Sequence, residues 1–148
     1  MSLVKSVIYE AMRIEPIVPY QYAKAREDLI VKSHDASFEI KKGETIFGFQ
    51  PFATKDPRIF DDPEVFVPKR FIGEGEKLLK YVLWSNGRET ENPSVDNKQC
   101  PGKNLVVLLC RLFLVEFFLR YDTFTFETKA AAVGVSITIT SLTKASTI

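Results

Sequence analysis

The sequence predicts a mixed α and β fold in a single unit of 148 residues. Apolar residues recur at helical spacing over residues 1–15 and again, over a longer stretch, in residues 101–121. Between and after these segments, short runs in which apolar and polar residues alternate are typical of half-buried β-strands. A chain of this length forms one domain at most. We therefore expect two helices combined with small antiparallel sheets.

The composition is that of an ordinary globular domain without a strong charge bias. The 20 Lys and Arg residues oppose 19 Asp and Glu residues, which leaves a formal net charge of +1. Because no long basic run is present to neutralise phosphates, we expect no nucleic-acid partner. Two cysteines argue against a disulfide-stapled scaffold.

The first helix is predicted over residues 1–15. Ser2 is a typical N-cap residue, and Pro16 ends the helical pattern. Glu10 and Arg13 are three residues apart and so lie on one face of the helix.

A small sheet is predicted over residues 20–52. Strand-like runs occur at residues 29–31, 38–40 and 45–47. The turn residue Gly43 between the last two runs predicts that they form a hairpin.

Residues 53–97 are predicted to form an irregular, packed meander followed by a loop. Prolines alternate with aromatic residues in the first part, a pattern too punctuated for a long helix and too apolar for a linker. Glycine, asparagine and proline are frequent from residue 73 onward. A long stretch without regular structure inside so small a domain usually has a functional reason.

The last two predicted elements are a long helix and a hairpin. The helix, residues 101–121, begins with a proline, and its apolar stretch is interrupted by Arg111 and Glu116. It is too short to span a bilayer, so we expect a buried helix. Residues 123–143 alternate with period two on both sides of a turn containing alanine and glycine, which predicts a terminal β-hairpin.

Cys100 ends the loop and directly precedes the long helix. It belongs to the string NKQCPGK at residues 97–103. Residues 98–103 of this string are called the Cys100 loop. A sulfur in this place lies near the positive end of the helix dipole, which stabilises a thiolate. Thiolates bind soft metals, including haem iron. The alternative is a buried structural cysteine, which is the role we expect for Cys110 in the middle of the helix.

Three motifs together resemble the haem-thiolate cytochrome P-450 superfamily. They are E-x-x-R at residues 10–13, P-x-R-F at residues 68–71, and the Cys100 loop. Within the superfamily, the chain is most similar to the plant fatty-acid hydroperoxide enzymes, which are allene oxide synthases, hydroperoxide lyases and divinyl ether synthases. The resemblance covers essentially the whole chain. It implies the C-terminal, proximal part of the mainly α P-450 fold.

The first two motifs imply one structural cluster. A buried Glu10 and Arg13 leave charge and hydrogen-bond donors to satisfy, and Arg70 can complete a Glu10–Arg13–Arg70 cluster that locks the meander to the first helix. The alternative is an exposed helix pair, which would contribute only about a few tenths of a kcal/mol.

The Cys100 loop departs from the pattern of ordinary monooxygenases. Where F-x-x-G-x-R-x-C-x-G is expected, Pro93, Asp96 and Lys98 replace the phenylalanine, the first glycine and the arginine. The variant is that of the hydroperoxide family. The resemblance thus implies haem b, with Cys100 as the axial iron ligand and Lys98 as the cation for a haem propionate. The alternative for Lys98 is a solvated loop lysine.

The resemblance implies an enzyme that rearranges hydroperoxides of linoleic or linolenic acid. Because the oxidant arrives within the substrate, neither dioxygen nor a reductase is expected. The strings at residues 13–16 and 73–79 favour dehydration to an allene oxide in oxylipin biosynthesis. A hydroperoxide lyase or divinyl ether synthase of the same family is an alternative. A conventional monooxygenase and a non-catalytic remnant are further alternatives.

Members of this family are several times longer, so the resemblance implies a C-terminal fragment. The distal helix over the haem and the substrate-recognition regions are then missing, and no catalytic residue is assignable beyond the haem ligand. We expect the 148-residue chain alone to be inactive.

The sequence also carries an expectation about location. Its first residues lack both the apolar core of a secretory signal and the character of a transit peptide. Together with a likeness to family members without a plastid transit peptide, this favours a cytoplasmic or peripheral membrane location of the parent protein over the plastid.

Overall fold

The computed structural model describes residues 1–85, 87–131 and 134–146. The predicted mixed α and β class is confirmed. The elements in chain order are α1 (Leu3–Ile14), β1 (Tyr20–Lys24), β2 (Leu29–Lys32), β3 (Ser37–Ile40), β4 (Thr45–Phe49), α2 (Gln50–Thr54), a 3-10 helix (Gly73–Tyr81), β5 (Leu83–Trp84), β6 (Gly87–Arg88), α3 (Lys103–Arg120), β7 (Tyr121–Ala130) and β8 (Val135–Lys144).

Helix α1 begins and ends where its flanking residues predict. The Ser2 hydroxyl accepts a hydrogen bond from the Lys5 backbone N–H at 3.4 Å, and the helix stops before Pro16. One face of α1 is buried against the rest of the molecule. Its buried residues are Ser6, Ile8, Tyr9, Glu10 and Arg13.

The predicted sheet of residues 20–52 consists of two separate antiparallel ladders. Strand β1 pairs with β4, with Tyr20 opposite Phe49, and β2 pairs with β3, with Leu29 opposite Ile40. Strand β1 was not predicted, because its YQYAK run contains no β-branched residue. Residues 50–54, at the predicted end of the sheet, form α2 instead.

The hairpin predicted between residues 38–40 and 45–47 is wrong. Each of these strands pairs instead with an earlier strand of the chain, β3 with β2 and β4 with β1. The Ser33 hydroxyl stabilises that turn by accepting the Ala36 backbone N–H at 3.1 Å. Gly43 does lie in a turn, with a φ of 92°, but this turn carries the chain from one ladder to the other.

Residues 73–97 are more regular than the predicted loop. The 3-10 helix occupies the first part, and β5 then pairs with β6, with Leu83 opposite Arg88. Long 3-10 helices are uncommon, and the sequence pattern of residues 73–81 did not predict one.

A small core lies where α1, the 3-10 helix, β5 and the start of α3 meet. Tyr9 and Phe71 pack edge to face, with 6.0 Å between their ring centroids. Cys100 packs against this core from its edge. The buried members are Tyr9, Phe60, Phe71, Val82, Trp84 and Val107.

Helix α3 begins two residues later than predicted, because Pro101 and Gly102 form a turn and Gly102 is the N-cap. The expectation that this helix is buried is wrong for this chain. Only Val107 among its residues is buried, while Phe113 and Leu119 are 65% and 67% exposed. Helix α3 packs on α1 and β7, and its Val107 joins the small core, but most of its apolar side chains stay uncovered.

The terminal hairpin forms as predicted. Strands β7 and β8 pair from Tyr121 opposite Lys144 to Ala130 opposite Val135. Part of its turn, Ala132 and Val133, lies outside the described residues. Over the ranges that the structure describes, no helix has the length and apolarity needed to cross a membrane.

Candidate functional site

Glu10 is the centre of a buried ion cluster. Its carboxylate accepts two hydrogen bonds from Arg13, at 2.8 and 2.9 Å, and two from Nε of Arg70, at 2.9 and 3.0 Å. The backbone N–H of Val67 donates to the same carboxylate at 2.9 Å. The three residues grouped by the sequence analysis therefore lie together in the structure.

Two opposing effects act on the Glu10 carboxyl. Burial by itself would raise its pKa, since a buried charge loses its hydration. The hydrogen bonds from Arg13, Val67 and Arg70 outweigh burial and lower the pKa of Glu10 below its ordinary value. The carboxylate thus stays ionised and holds both arginines.

The two arginines of the cluster also donate hydrogen bonds to backbone carbonyls of the meander. Arg13 donates to the carbonyl oxygens of Thr54 at 2.9 Å and Pro63 at 2.7 Å. Arg70 donates to the carbonyl oxygens of Asp61 at 2.5 Å and Asp62 at 3.1 Å. These bonds satisfy backbone groups that have no regular element to pair with, and they fasten the meander to α1.

Cys100 lies between β5 and the start of α3. Its backbone N–H donates to the Trp84 carbonyl at 3.2 Å, and its carbonyl accepts the Lys103 backbone N–H at 3.1 Å. Its sulfur lies 3.7 Å from the point that a Cβ on Gly102 would occupy. The free, half-buried thiol thus lies just before the N-terminal end of α3.

Cys100 also lines a mostly apolar cleft of about 510 Å³. The end of α1, the segment after it, β1 and β5 supply the walls. Such walls suit a flat apolar ligand, and Cys100 contributes a thiol that can bind a soft metal. Its apolar and aromatic lining includes Met12, Ile17, Val18, Tyr22, Trp84 and Val106.

The Cys100 loop folds back closely on β6. A Cβ at Gly87 would lie 2.6 Å from Cγ and 2.8 Å from the backbone nitrogen of Gln99, so residue 87 has no room for a side chain. The buried Asn97 amide accepts the Arg88 backbone N–H at 2.8 Å and donates to the Asn92 carbonyl at 3.0 Å. These contacts shape the loop before Cys100.

The family model described as cytochrome P450 matches residues 1–131. The chain belongs to the cytochrome P450 family. Membership implies a haem held by a cysteine thiolate. The predicted cofactor follows from this membership.

Relatives confirm the likeness to the plant hydroperoxide enzymes. The chain is 60% identical over 146 residues to allene oxide synthase CYP74A2 of Parthenium argentatum, covering 99% of this chain and 31% of that protein. It is 64% identical over 147 residues to allene oxide synthase 1, chloroplastic, of Solanum lycopersicum, covering 99% and 28%. Divinyl ether synthase CYP74D2 of Solanum tuberosum is 61% identical over 146 residues, with 99% and 30% covered. The chain spans about a third of the length of these relatives.

Solved structures confirm the fold. Substrate-free CYP109E1 from Bacillus megaterium matches with a TM-score of 0.66 and 23% identity, over 93% of this chain and 33% of that one. A cytochrome P450DA mutant heme domain matches with a TM-score of 0.71 and 14% identity, over 99% and 32%.

The expectation of a location outside the plastid is contradicted. Two matched allene oxide synthases of Solanum lycopersicum and one of Linum usitatissimum are named chloroplastic. These relatives point to the plastid. The expectation relied on the first residues of this chain. The chain covers only part of the length of these relatives, so its first residues carry no evidence on a leader.

The residues around Cys100 fit the haem that cytochrome P450 membership implies. A thiol at a helix N-terminus faces a cleft with apolar walls. The buried indole N–H of Trp84, also in the wall, has no acceptor among the described residues. Buried donors without an acceptor are rare in proteins, so this one fits a wall that a bound group would contact. Cys110, expected to be a buried structural cysteine, is only half-buried in the middle of α3 and is not part of the core.

Lys98 stands apart from these residues. It is exposed and is not among the residues that line the cleft beside Cys100. Its assignment to a haem propionate stays a prediction.

Sequence reasoning missed several residues of this region. Tyr9, Glu89, Gln99 and Lys103 form contacts around Cys100. Tyr9 and Glu89 are 80 positions apart in sequence. No spacing rule links residues so distant, and only the position of Gln99 and Lys103 beside Cys100 could have drawn attention to them.

Proposed function

We propose that the complete protein containing this chain is a haem-thiolate enzyme that dehydrates polyunsaturated fatty-acid hydroperoxides to allene oxides. The observation that carries the proposal is the position of the Cys100 thiol, which lies at the N-terminus of α3 and in the wall of an apolar cleft. The identity of 60% to 64% with allene oxide synthases over 99% of this chain supports the choice of reaction.

Cys100 is the proposed axial ligand. When bound, a haem iron supplies the electron transfer that cleaves the O–O bond of a hydroperoxide. The N-terminal end of α3 stabilises the negative charge of the Cys100 thiolate. The apolar residues of the cleft exclude water, and Lys98 is proposed to pair with a propionate.

The reaction needs no electrons from outside. A hydroperoxide loses one molecule of water and becomes an allene oxide, so the substrate serves as its own oxidant. We therefore propose a hydroperoxide of linoleic or linolenic acid as the partner and no reductase. The Glu10 cluster has no part in the chemistry and maintains the scaffold that presents Cys100.

Divinyl ether formation is the second candidate. Divinyl ether synthases of Solanum tuberosum and Nicotiana tabacum are 61% identical to this chain, over 99% and 98% of it. Their identity is as high as that of the allene oxide synthase of Parthenium argentatum. The product therefore has to be identified directly.

The test uses the complete protein, purified with haem and assayed without dioxygen or reductase. We expect loss of the conjugated-diene absorbance of a linolenic acid hydroperoxide and formation of the ketol to which an allene oxide hydrolyses. A divinyl ether as the main product would select the second candidate. Cys100→Ser should abolish turnover, whereas Cys110→Ser, the matched control, should retain it. Turnover that depends on a reductase and dioxygen would contradict the proposal.

A further inference from the structure

Tyr9 and Glu10 are neighbours on the buried face of α1 but contact different parts of the molecule. The Tyr9 hydroxyl, on a side chain only 1% exposed, donates to Oε1 of Glu89 at 2.7 Å. Burial, this hydrogen bond and the charge of Glu89 raise the pKa of Tyr9 far above its ordinary value. The hydroxyl therefore keeps its proton and acts as a fixed donor.

Glu89 joins Tyr9 to the first residue of α3. Nζ of Lys103 lies 3.1 Å from Oε2 of Glu89 and also donates to the Glu89 carbonyl at 3.1 Å. The side chains of Glu89 and Lys103 are 12% and 15% exposed. Because the pair is largely removed from water, each charge depends on the other for its compensation.

Gln99, the residue directly before Cys100, contacts this pair. Its Oε1 accepts from Nζ of Lys103 at 3.3 Å, and its Nε2 donates to the carbonyls of Arg88 and, at 2.6 Å, Glu91. The network therefore holds the chain on both sides of Cys100, through Gln99 before it and Lys103 after it.

The charged residues of the network line a cavity that Cys100 also lines. Cys100 and Lys103 line the same smaller cavity of about 460 Å³, to which Glu89 and Gln99 also contribute. An uncompensated ammonium there would draw electron density from a thiolate, and an uncompensated carboxylate would do the opposite. In the structure, the negative charge of Glu89 compensates the positive charge of Lys103.

We propose that Tyr9, Glu89, Lys103 and Gln99 form a positioning network that orients the Cys100 thiolate and keeps its surroundings electrically balanced. This inference rests on the proposed haem-thiolate function. It assigns α1 a second role besides holding the Glu10 cluster, since Tyr9 connects this helix through Glu89 to Lys103.

The decisive experiment measures the haem midpoint potential of the complete, haem-loaded protein in four variants. Glu89→Gln leaves Lys103 uncompensated and should raise the potential. Lys103→Met leaves Glu89 uncompensated and should lower it. The double variant should return close to the unmodified protein, and Tyr9→Phe should produce a smaller shift than Glu89→Gln. We also expect the single charge variants to lose about 10- to 100-fold in haem affinity.

Controls separate this inference from a general loss of stability. Glu116→Gln breaks an exposed pair with Arg120 at the other end of α3 and should leave the potential unchanged. Shifts of Glu89→Gln and Lys103→Met in the same direction, or no shift in either, would overturn the network. If the unmodified protein lacks the carbonyl-ferrous band of a thiolate-ligated haem, the proposed function itself fails. If that band is present and the potentials do not move, only the network fails.

Discussion

Glu10 and Arg70 are 60 positions apart in sequence, yet Nε of Arg70 donates to Oε1 of Glu10 at 2.9 Å inside the protein. The Glu10 side chain is completely buried and that of Arg70 is 6% exposed. The contact fixes the meander on α1, next to Tyr9, whose hydroxyl donates to Glu89. The scaffold and the proposed ligand site are thus held from neighbouring positions of one helix.

Arg70→Ala should destabilise the protein by roughly 3 kcal/mol, because it leaves the buried Glu10 carboxylate with only Arg13 and the Val67 N–H as partners and removes the bonds to the meander carbonyls of Asp61 and Asp62. The measurement is the free energy of unfolding by urea, together with haem occupancy of the complete protein, which should fall. Arg58→Ala is the matched control, since the Arg58 side chain is exposed and pairs with Asp56 outside the Glu10 cluster. Unchanged unfolding and haem content would show that the cluster is solvated.

The lowered pKa of Glu10 predicts a loss of stability in acid. A carboxyl whose pKa is lower in the folded state contributes its full stabilisation above the unfolded value, about 4.5. That contribution disappears as the pH falls through the lower, folded value. Glu10→Gln should be less stable at neutral pH and should show a shallower decline below pH 4.5. Urea unfolding over a pH series tests this, and parallel curves would contradict it.

Gly87→Ala should displace the Cys100 loop. The added Cβ would meet Cγ and the backbone nitrogen of Gln99, and overpacking of this kind costs typically about 1 to 3 kcal/mol. Gly48→Ala is the control, because the nearest atoms to its Cβ are 3.9 Å away. Thermal unfolding and the Soret spectrum of the complete protein should change in the first variant and not in the second.

Cys100→Ser in the complete protein should remove the carbonyl-ferrous absorption band typical of thiolate ligation, because a serine hydroxyl does not ionise under these conditions. Cys110→Ser should keep the band. The same band in both variants would exclude Cys100 as the ligand.

The 148-residue chain by itself should neither hold haem stably nor consume a hydroperoxide. Leu109, Phe113 and Leu119 on α3 are 54%, 65% and 67% exposed, and a contiguous apolar surface of this kind favours aggregation. Refolding with hemin, followed by the Soret band and light scattering, tests this. Phe113→Lys should reduce scattering without restoring haem binding. Stoichiometric haem and steady hydroperoxide consumption, both lost in Cys100→Ser, would contradict the prediction.

Local patterns were sufficient to predict α1, α3 and the terminal hairpin, because periodicity, caps and turn residues act over a few positions. The string around Cys100 also identified the candidate ligand, since a thiol before a helix has a local electrostatic meaning. The E-x-x-R and P-x-R-F strings suggested which three charged residues meet.

Tertiary structure alone decided how the strands β1 to β4 pair and which residues surround Cys100. Strand β4 pairs with β1 rather than with β3, although β3 is its nearer neighbour in the sequence. Tyr9, Glu89 and Lys103 come together only once α1 packs on α3 and the loop folds back on β6. Contacts of this kind depend on the whole packing arrangement, and a linear sequence pattern contains no distance between residues so far apart.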